Sequence, residues 1–490
     1  MPATLVSAEL AGPGPILEAV ENYRGTIIDL DEGTRLSADE FARAREALVL
    51  ALRGRGLLAG DRVVLAVANS PLFLATLTAI LAVEASPLLV HAKTPPAELH
   101  RYARRFGARF LAHESSEPAA LDEYLSSAES IGFAGRTVLG WGAFDAAGGE
   151  VGGPQLRGVP MHPTSGSTGL PKIALRPAPA ALEEAAHYAA TMRVSASDTI
   201  VAIPPMSHAY GYGMCVMLPL LTGANLITTR AFSTALVKRA IGELSPSIVP
   251  AVPAMLDMLA HSGVDLRSVR WLLTAGSLMP GPSAERFRQR TGVTACPLYG
   301  TTETGGISVA TAADGRDVDG RVGPPMRGVE VQVRPCDAAL AAGPGVGKLF
   351  VRSTSMMAGY LDDQGHLTPV AADGWFGTGD LAQIADGTVH LRGRDSEVIN
   401  VAGMKVVPCE IEEVIRELSG VREVRVYAQT HHSGSQVVKA AVALDAGTSE
   451  DDIYAHCQRQ LVYYKRPQLV VRVDALPRTP AGKIDAALLP

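Results

Sequence analysis

The chain has no excess of positive charge. Its 44 Lys and Arg face 50 Asp and Glu, a net charge of −6. This argues against a nucleic-acid binder that works by neutralising phosphates, but leaves room for a local basic site for a nucleotide. Cysteine is scarce. Cys215, Cys296, Cys336, Cys409 and Cys457 are odd in number, well separated and outside any Cys-x-x-Cys spacing. They read as reduced, mostly buried thiols of a cytosolic protein. No basic stretch followed by an apolar core opens the chain, so no secretory leader is expected and the location is expected to be cytoplasmic. The longest apolar run, Leu72 to Val83, stops at Glu84. It is too short for a bilayer span and is expected as a buried helix, with no membrane partner. Internal repeats and low-complexity segments are also missing.

What is present is enough for a packed protein of two or more domains: 490 residues, 47% of them apolar. The first 310 residues alternate strands and helices. Ser37 is a plausible N-cap for a helix to Leu52, and Arg62–Val67, Pro87–Val90, Thr199–Ile203 and Trp271–Thr274 are apolar strands. This predicts an α/β class, a large N-terminal domain of parallel αβ-layered sheets. Residues 113–160 carry mixed turn signals and resist ordering. Residues 315–392 are short strands between Gly and Pro turns and read as a small barrel-like β subdomain. A small mobile α+β C-terminal domain is expected over 395–490, after an N-terminal domain over 1–394. Its helix shows one buried stripe at Ile411, Val414, Ile415 and Leu418.

One loop invites chemistry. Thr164-Ser165-Gly166-Ser167-Thr168-Gly169-Leu170-Pro171-Lys172 is rich in hydroxyls and glycine and ends on a cation. Glycines let backbone N–H groups approach an anion, and Lys172 adds charge. The plain alternative is a flexible linker. It is not a Walker A loop, because Pro171 precedes the lysine and Ile173 follows where a Mg²⁺-binding hydroxyl belongs.

Four further stretches keep it company: Tyr299-Gly300-Thr301-Thr302-Glu303-Thr304, Trp375-Phe376-Gly377-Thr378-Gly379-Asp380, Gly393-Arg394 with Ile399 to Glu412, and Pro477-Arg478-Thr479-Pro480-Ala481-Gly482-Lys483. In this order they resemble the adenylate-forming superfamily of acyl-CoA synthetases, adenylation domains and luciferases. The resemblance implies an AMP-forming carboxylate ligase. Such an enzyme uses ATP and Mg²⁺ to make an acyl adenylate, releases pyrophosphate, rotates its small domain, and passes the acyl group on, usually to a thiol.

It also implies roles. The loop from Thr164 to Lys172 would clamp pyrophosphate. Thr302 would donate to a phosphate, and Glu303 would hold Mg²⁺, a hard cation suited to carboxylate oxygen. Tyr299 would stack on adenine beside Gly276, Ser277, Gly300 and Thr301. Asp380 and Arg394 would hold the ribose, and Lys405 would contact phosphate. Lys483 would bridge the carboxylate and the α-phosphate, which a compact ammonium can do. The hinge falls at Ser396, with Asp395 before it, where family members often carry Asp or Lys at the hinge itself; this departure leaves the pivot's identity open. Ala402 and Gly403 would pass the thiol tunnel.

The acyl-pocket motif corresponds to Pro204–Gly213, with His208 as a gate or catalytic-pocket residue and Tyr210, Gly211, Tyr212 and Gly300 as lining. A core histidine is the alternative for His208. No Asp lies between Pro204 and Leu218 to bind an α-amine, so an aryl, cyclic or medium-length acid is expected instead of a free α-amino acid. Three acceptors are compatible: CoA as the first expectation, a carrier-protein pantetheine, or an amine, as in an amide-bond synthetase. A degenerate protein that only binds acyl ligands or adenylates is the non-enzymic alternative.

Overall fold

Alternating apolar strands and capped helices build the first of two units. The computed structural model describes residues 10–490 except 95, 115–120, 122, 136, 145–155, 165–171, 280, 312–319, 337–343, 363, 371–372, 395–398, 402–403, 407, 431–435, 462–464 and 480–481. The first unit comprises Met1–Arg316, Met326–Val329 and Arg352–Trp375. The second comprises Asp317–Pro325, Glu330–Val351 and Phe376–Pro490.

Two mixed sheets organise the first unit. In one, the described strands run in the order Gly305–Val309, Cys296–Thr301, Trp271–Thr274, Ile248–Ala251, Thr199–Ala202, Asn225–Thr228, Ile27–Asp29 and Thr34–Leu36. Its interior pairs are parallel and only its two end pairs antiparallel. The other carries Arg62–Ala66 between Ser86–Leu89 and Phe110–His113, all parallel. Hairpins extend it on both sides, so the expected parallel sheets are parallel only at their centres. One extension, Leu125–Phe133 paired with Thr137–Phe144, lies in the stretch whose sequence resisted ordering.

Local chemistry explains the helices. Ser37 accepts from the Glu40 amide while Glu40 reaches back to the Ser37 N–H, a capping box that starts helix Ala38–Gly54. The apolar run is helix Pro71–Ala82, buried from Pro71 to Leu81 and capped by Ser70. An all-round apolar helix of this length belongs inside a protein. Among the described residues no helix is long and apolar enough to cross a membrane.

The stretch expected as one β subdomain divides. Arg321–Gly323, Thr388–Arg394, Phe376–Ala385, Gly347–Ser353 and Val329–Arg334 form a five-stranded sheet. Gly359–Leu361 and Leu367–Pro369 instead join the nine-stranded sheet of the first unit, where Gly359–Leu361 pairs with Lys172–Leu175. The reason is burial: Leu361 packs with Ile173 and Leu175 in that unit's core. In the second unit, Val421–Thr430, Gln436–Leu444 and Leu469–Arg472 form a sheet. Helices Pro408–Arg416 and Glu450–Gln460 supply Ile411, Ile415, Ile453 and Cys457 to its core.

Candidate active site

The loop that invited chemistry is flanked by paired strands. Met161–Thr164 and Lys172–Leu175 run antiparallel, with Thr164 opposite Lys172. The Thr164 hydroxyl donates to the Lys172 carbonyl at 3.2 Å. Ser165, Gly166, Ser167, Thr168 and Gly169 lie outside the described residues. Lys172 itself is exposed, and its Nζ sits 5.3 Å from the centre of the Tyr360 ring, within cation–π range.

Tyr360 is the link to the second stretch. Its hydroxyl donates to Glu303 Oε1 at 2.6 Å. Burial and the neighbouring Glu303 carboxylate push the phenol well above its usual range, so it stays protonated and remains the donor. Glu303 stands on the turn between Cys296–Thr301 and Gly305–Val309. Gly305 makes the turn possible with φ +73°, a conformation that L side chains avoid. The Thr304 amide donates to Thr301 Oγ1 at 3.2 Å and tightens it. The Met357 amide donates to the Glu303 carbonyl at 2.7 Å and anchors it from outside. A cation, a phenol and a carboxylate thus meet on three separate strands and turns.

The arrangement suits Mg²⁺. Among the described residues no group of three or more His, Cys, Asp or Glu could form a protein cage for a metal. A single carboxylate on a tight turn fits an ion that keeps water and arrives on substrate phosphates.

The other residues fall into place unevenly. Tyr299 is buried, whereas Gly300 is exposed and Thr301 and Thr302 are half-buried. Gly276 and Ser277 are exposed just past strand Trp271–Thr274, Gly276 at φ +86°. His208 is exposed, and its amide donates to the Pro205 carbonyl at 3.0 Å where helix Ala209–Tyr212 begins. It is therefore not the buried core histidine. That description fits His162, whose ring meets Tyr212 edge-on at 4.7 Å. Burial, with Arg176 and His208 nearby, holds the His162 imidazole well below its usual range. Tyr210 is half-buried, while Gly211 and Tyr212 are buried. Their helix continues through a π-helical segment, Gly213–Met217. A Cβ at Gly213 would stand 2.6 Å from the Glu184 carboxylate.

In the second unit, strand register sets Asp380 opposite Arg394. Asp380 is buried, and its amide donates to Thr378 Oγ1 at 3.1 Å. Lys483 is exposed on a small turn. Its carbonyl accepts from the Thr479 amide at 2.7 Å, Arg478 bridges to Ile484, and Arg478 also pairs with Glu423 of strand Val421–Thr430. Asn400 lies opposite Lys405 in a two-stranded ladder. The side chains of Arg394 and Lys405, and residues Asp395, Ser396, Ala402 and Gly403, lie outside the described set.

Sequence reasoning did not single out Tyr360, Arg176 or Glu184. Arg176 leaves a trace: one cation directly after Ile173-Ala174-Leu175. A charge ending a buried strand needs a partner.

Both parts of the chain match known models: that of the AMP-binding enzyme over residues 17–361, and that of the AMP-binding enzyme C-terminal domain over 410–483. The chain belongs to the AMP-binding enzyme family. Among its relatives is a Mycobacterium tuberculosis 3-[(3aS,4S,7aS)-7a-methyl-1,5-dioxo-octahydro-1H-inden-4-yl]propanoyl:CoA ligase, 29% identical over 66% of this chain and 64% of that one. The p-hydroxybenzoic acid–AMP ligase FadD22 of the same organism is 31% identical over 88% of this chain and 62% of its own length. These alignments therefore span less than two thirds of those two relatives. Feruloyl-CoA synthase of Amycolatopsis sp is 29% identical over 92% of this chain and 93% of its own. Among solved structures, ATP-bound MatB from Rhodopseudomonas palustris shares the fold with TM-score 0.81 and 22% identity, covering 96% of this chain and 97% of that one. The amide bond synthetase McbA from Marinactinospora thermotolerans does so with TM-score 0.79 and 24% identity, over 97% and 98%.

Proposed function

We propose that this family member activates a carboxylic acid with ATP to an acyl adenylate, releases pyrophosphate, and transfers the acyl group to a thiol, CoA first among the candidates. The observation that carries the reading is the meeting of Lys172, Tyr360 and Glu303. A carboxylate attacking a phosphate brings two anions together, so the site must supply fixed positive charge and donors. Lys172 and the hydroxyls of its loop take up the charge of the departing pyrophosphate. Thr302 donates to a phosphate oxygen. Mg²⁺, when bound with ATP, supplies charge neutralisation between phosphates; Glu303 is the residue to hold it, and Tyr360 orients that carboxylate. Tyr299, beside Gly276, Ser277, Gly300 and Thr301, takes the adenine. Asp380 and Arg394 take the ribose, and Lys405 a phosphate. Lys483 approaches the acid and the α-phosphate together. Residues 395–490 then rotate about Asp395–Ser396, so that Ala402 and Gly403 admit the thiol.

The acid is aryl, cyclic or of medium length, received by His208, Tyr210, Gly211, Tyr212 and Gly300. Two relatives support this by name, since they act on p-hydroxybenzoic acid and make feruloyl-CoA. ATP–pyrophosphate exchange across a panel of aryl, alicyclic and C6–C12 acids tests the first half-reaction. A protein that only binds adenylates gives no exchange with any of them. Product analysis with CoA, a phosphopantetheinylated carrier or an amine as sole acceptor tests the second. Thioester with CoA is expected, whereas amide or carrier-bound product alone would overturn the CoA assignment.

A further inference from the structure

The interior of the first unit holds an ion pair that the proposed chemistry does not use. Arg176 and Glu184 have 0% and 2% side-chain exposure, and Arg176 Nη1 lies 2.9 Å from Glu184 Oε2. Burying two charges costs desolvation that their attraction does not reliably return, so such a pair is weak evidence of a stability role. What it touches is more telling. Glu184 Oε1 accepts from the Gly306 amide at 3.0 Å and from the Tyr188 hydroxyl at 2.9 Å. Arg176 Nη2 donates to the Ser355 carbonyl at 3.2 Å, and Ser355 Oγ donates to the Thr304 carbonyl at 2.8 Å. Thr304 follows Glu303 on its turn, and Gly306 lies on the strand that leaves it. Ser355 precedes Met357 and Tyr360, the two residues that hold Glu303 from the other side. Arg176 itself follows the strand that Lys172 begins. The space is shaped for the carboxylate, since a Cβ at Gly213 or Gly305 would stand 2.6 or 2.8 Å from Glu184 atoms.

We infer that the buried Arg176–Glu184 pair positions the Glu303 turn against Lys172 and Tyr360, and so sets the affinity for Mg²⁺-loaded ATP in the first half-reaction. The inference rests on the function proposed above. At 0% and 2% exposure, neither side chain is open to a ligand at the surface. Each satisfies a main-chain group of a segment that carries Glu303 or Tyr360, and the ion pair locks the two segments to one another. A buried main-chain donor or acceptor left without a partner would shift to find one, and the Glu303 carboxylate would move with it.

Glu184→Gln keeps an acceptor for Gly306 and Tyr188 but removes the charge. Arg176→Met removes the donor to Ser355, and the double variant Arg176→Met/Glu184→Met leaves no lone buried charge. Calorimetric titration with ATP in Mg²⁺ and in EDTA separates metal-dependent from metal-independent affinity without turnover. Each variant should lose about 10- to 100-fold of the affinity that Mg²⁺ confers, as expected when groups behind a metal ligand are removed, with affinity in EDTA unchanged. In ATP–pyrophosphate exchange the KM for Mg·ATP should rise, while thioester formation from supplied acyl adenylate stays within about twofold. The double variant, freed of a lone buried charge but still without partners for the Gly306 amide and the Ser355 carbonyl, should regain part of the Tm lost in the single variants and none of the Mg²⁺-dependent affinity. Recovery of both in the double variant, or equal loss in the two half-reactions, would overturn the positioning role. An absence of exchange in the wild type with every acid would instead sink the proposed function, and the titrations would still decide what the pair does.

Discussion

At the scale of single residues, Tyr360 joins a carboxylate and an ammonium through its two ends. Its hydroxyl donates to Glu303 and its ring faces Lys172. Tyr360→Phe retains the ring and removes only the donor. Hydrogen bonds to charged groups contribute about 1.5–3 kcal/mol, so kcat/KM for Mg·ATP in the exchange assay should fall by at least about tenfold. An unchanged value would show that the Glu303 carboxylate is oriented by other groups. The two lysines make a second test. Lys172→Ala should weaken the first half-reaction, and Lys483→Ala should abolish it. Both variants should still turn over a preformed acyl adenylate. Equal loss in both steps would remove Lys483 from its assigned role, and wild-type exchange in Lys172→Ala would refute the pyrophosphate clamp.

Elements depend on their ends. Helix Glu450–Gln460 begins with a capping box in which Ser449 and Asp452 bond each other reciprocally. The hydrogen bonds from the Ser449 side chain and backbone hold the Asp452 carboxyl below its usual range. A depressed carboxylate pKa adds stability above the unfolded-state value, near 3.9 for Asp. That contribution disappears as pH falls through the folded-state value. Asp452→Asn should therefore lower the urea midpoint at pH 7, with the gap from wild type closing toward pH 3. A constant gap across this range would mean that the charge of Asp452 does not matter to the cap. Of the capping boxes at Ser37 and Ser449, the one at Ser37 was legible, because a hydroxyl residue stands there directly before Ala38-Asp39-Glu40. Strand Gly359–Leu361 was not, because three residues between turn signals carry too little periodicity to reveal which sheet they join.

For the molecule as a whole, under the proposed function different residues serve the two half-reactions. Gly403 is assigned to the thiol tunnel, so Gly403→Trp should spare ATP–pyrophosphate exchange and reduce thioester formation by at least about tenfold, the scale of a lost positioning. Loss of exchange in the same variant would place that residue in the first step. The extent of the fold was readable along the chain because strands and helices alternate locally, and because each motif is a short run that can be read on its own. The partition between units was less so. The chain leaves the first unit after Arg316 and returns to it at Met326 and again at Arg352, and such returns leave no compositional mark.

By itself the sequence determined which groups are available for chemistry and in what order they come. Local rules sufficed for that: hydroxyls and glycines before Lys172, a carboxylate after Thr302, a lysine after Gly482. Only the tertiary structure decided which of them meet. The contact of Tyr360 with Glu303 spans 57 residues of sequence and that of Arg176 with Ser355 spans 179. Contacts of this length follow from strand pairing and from the need of buried polar groups for partners, and neither condition is expressed in any stretch that can be read alone.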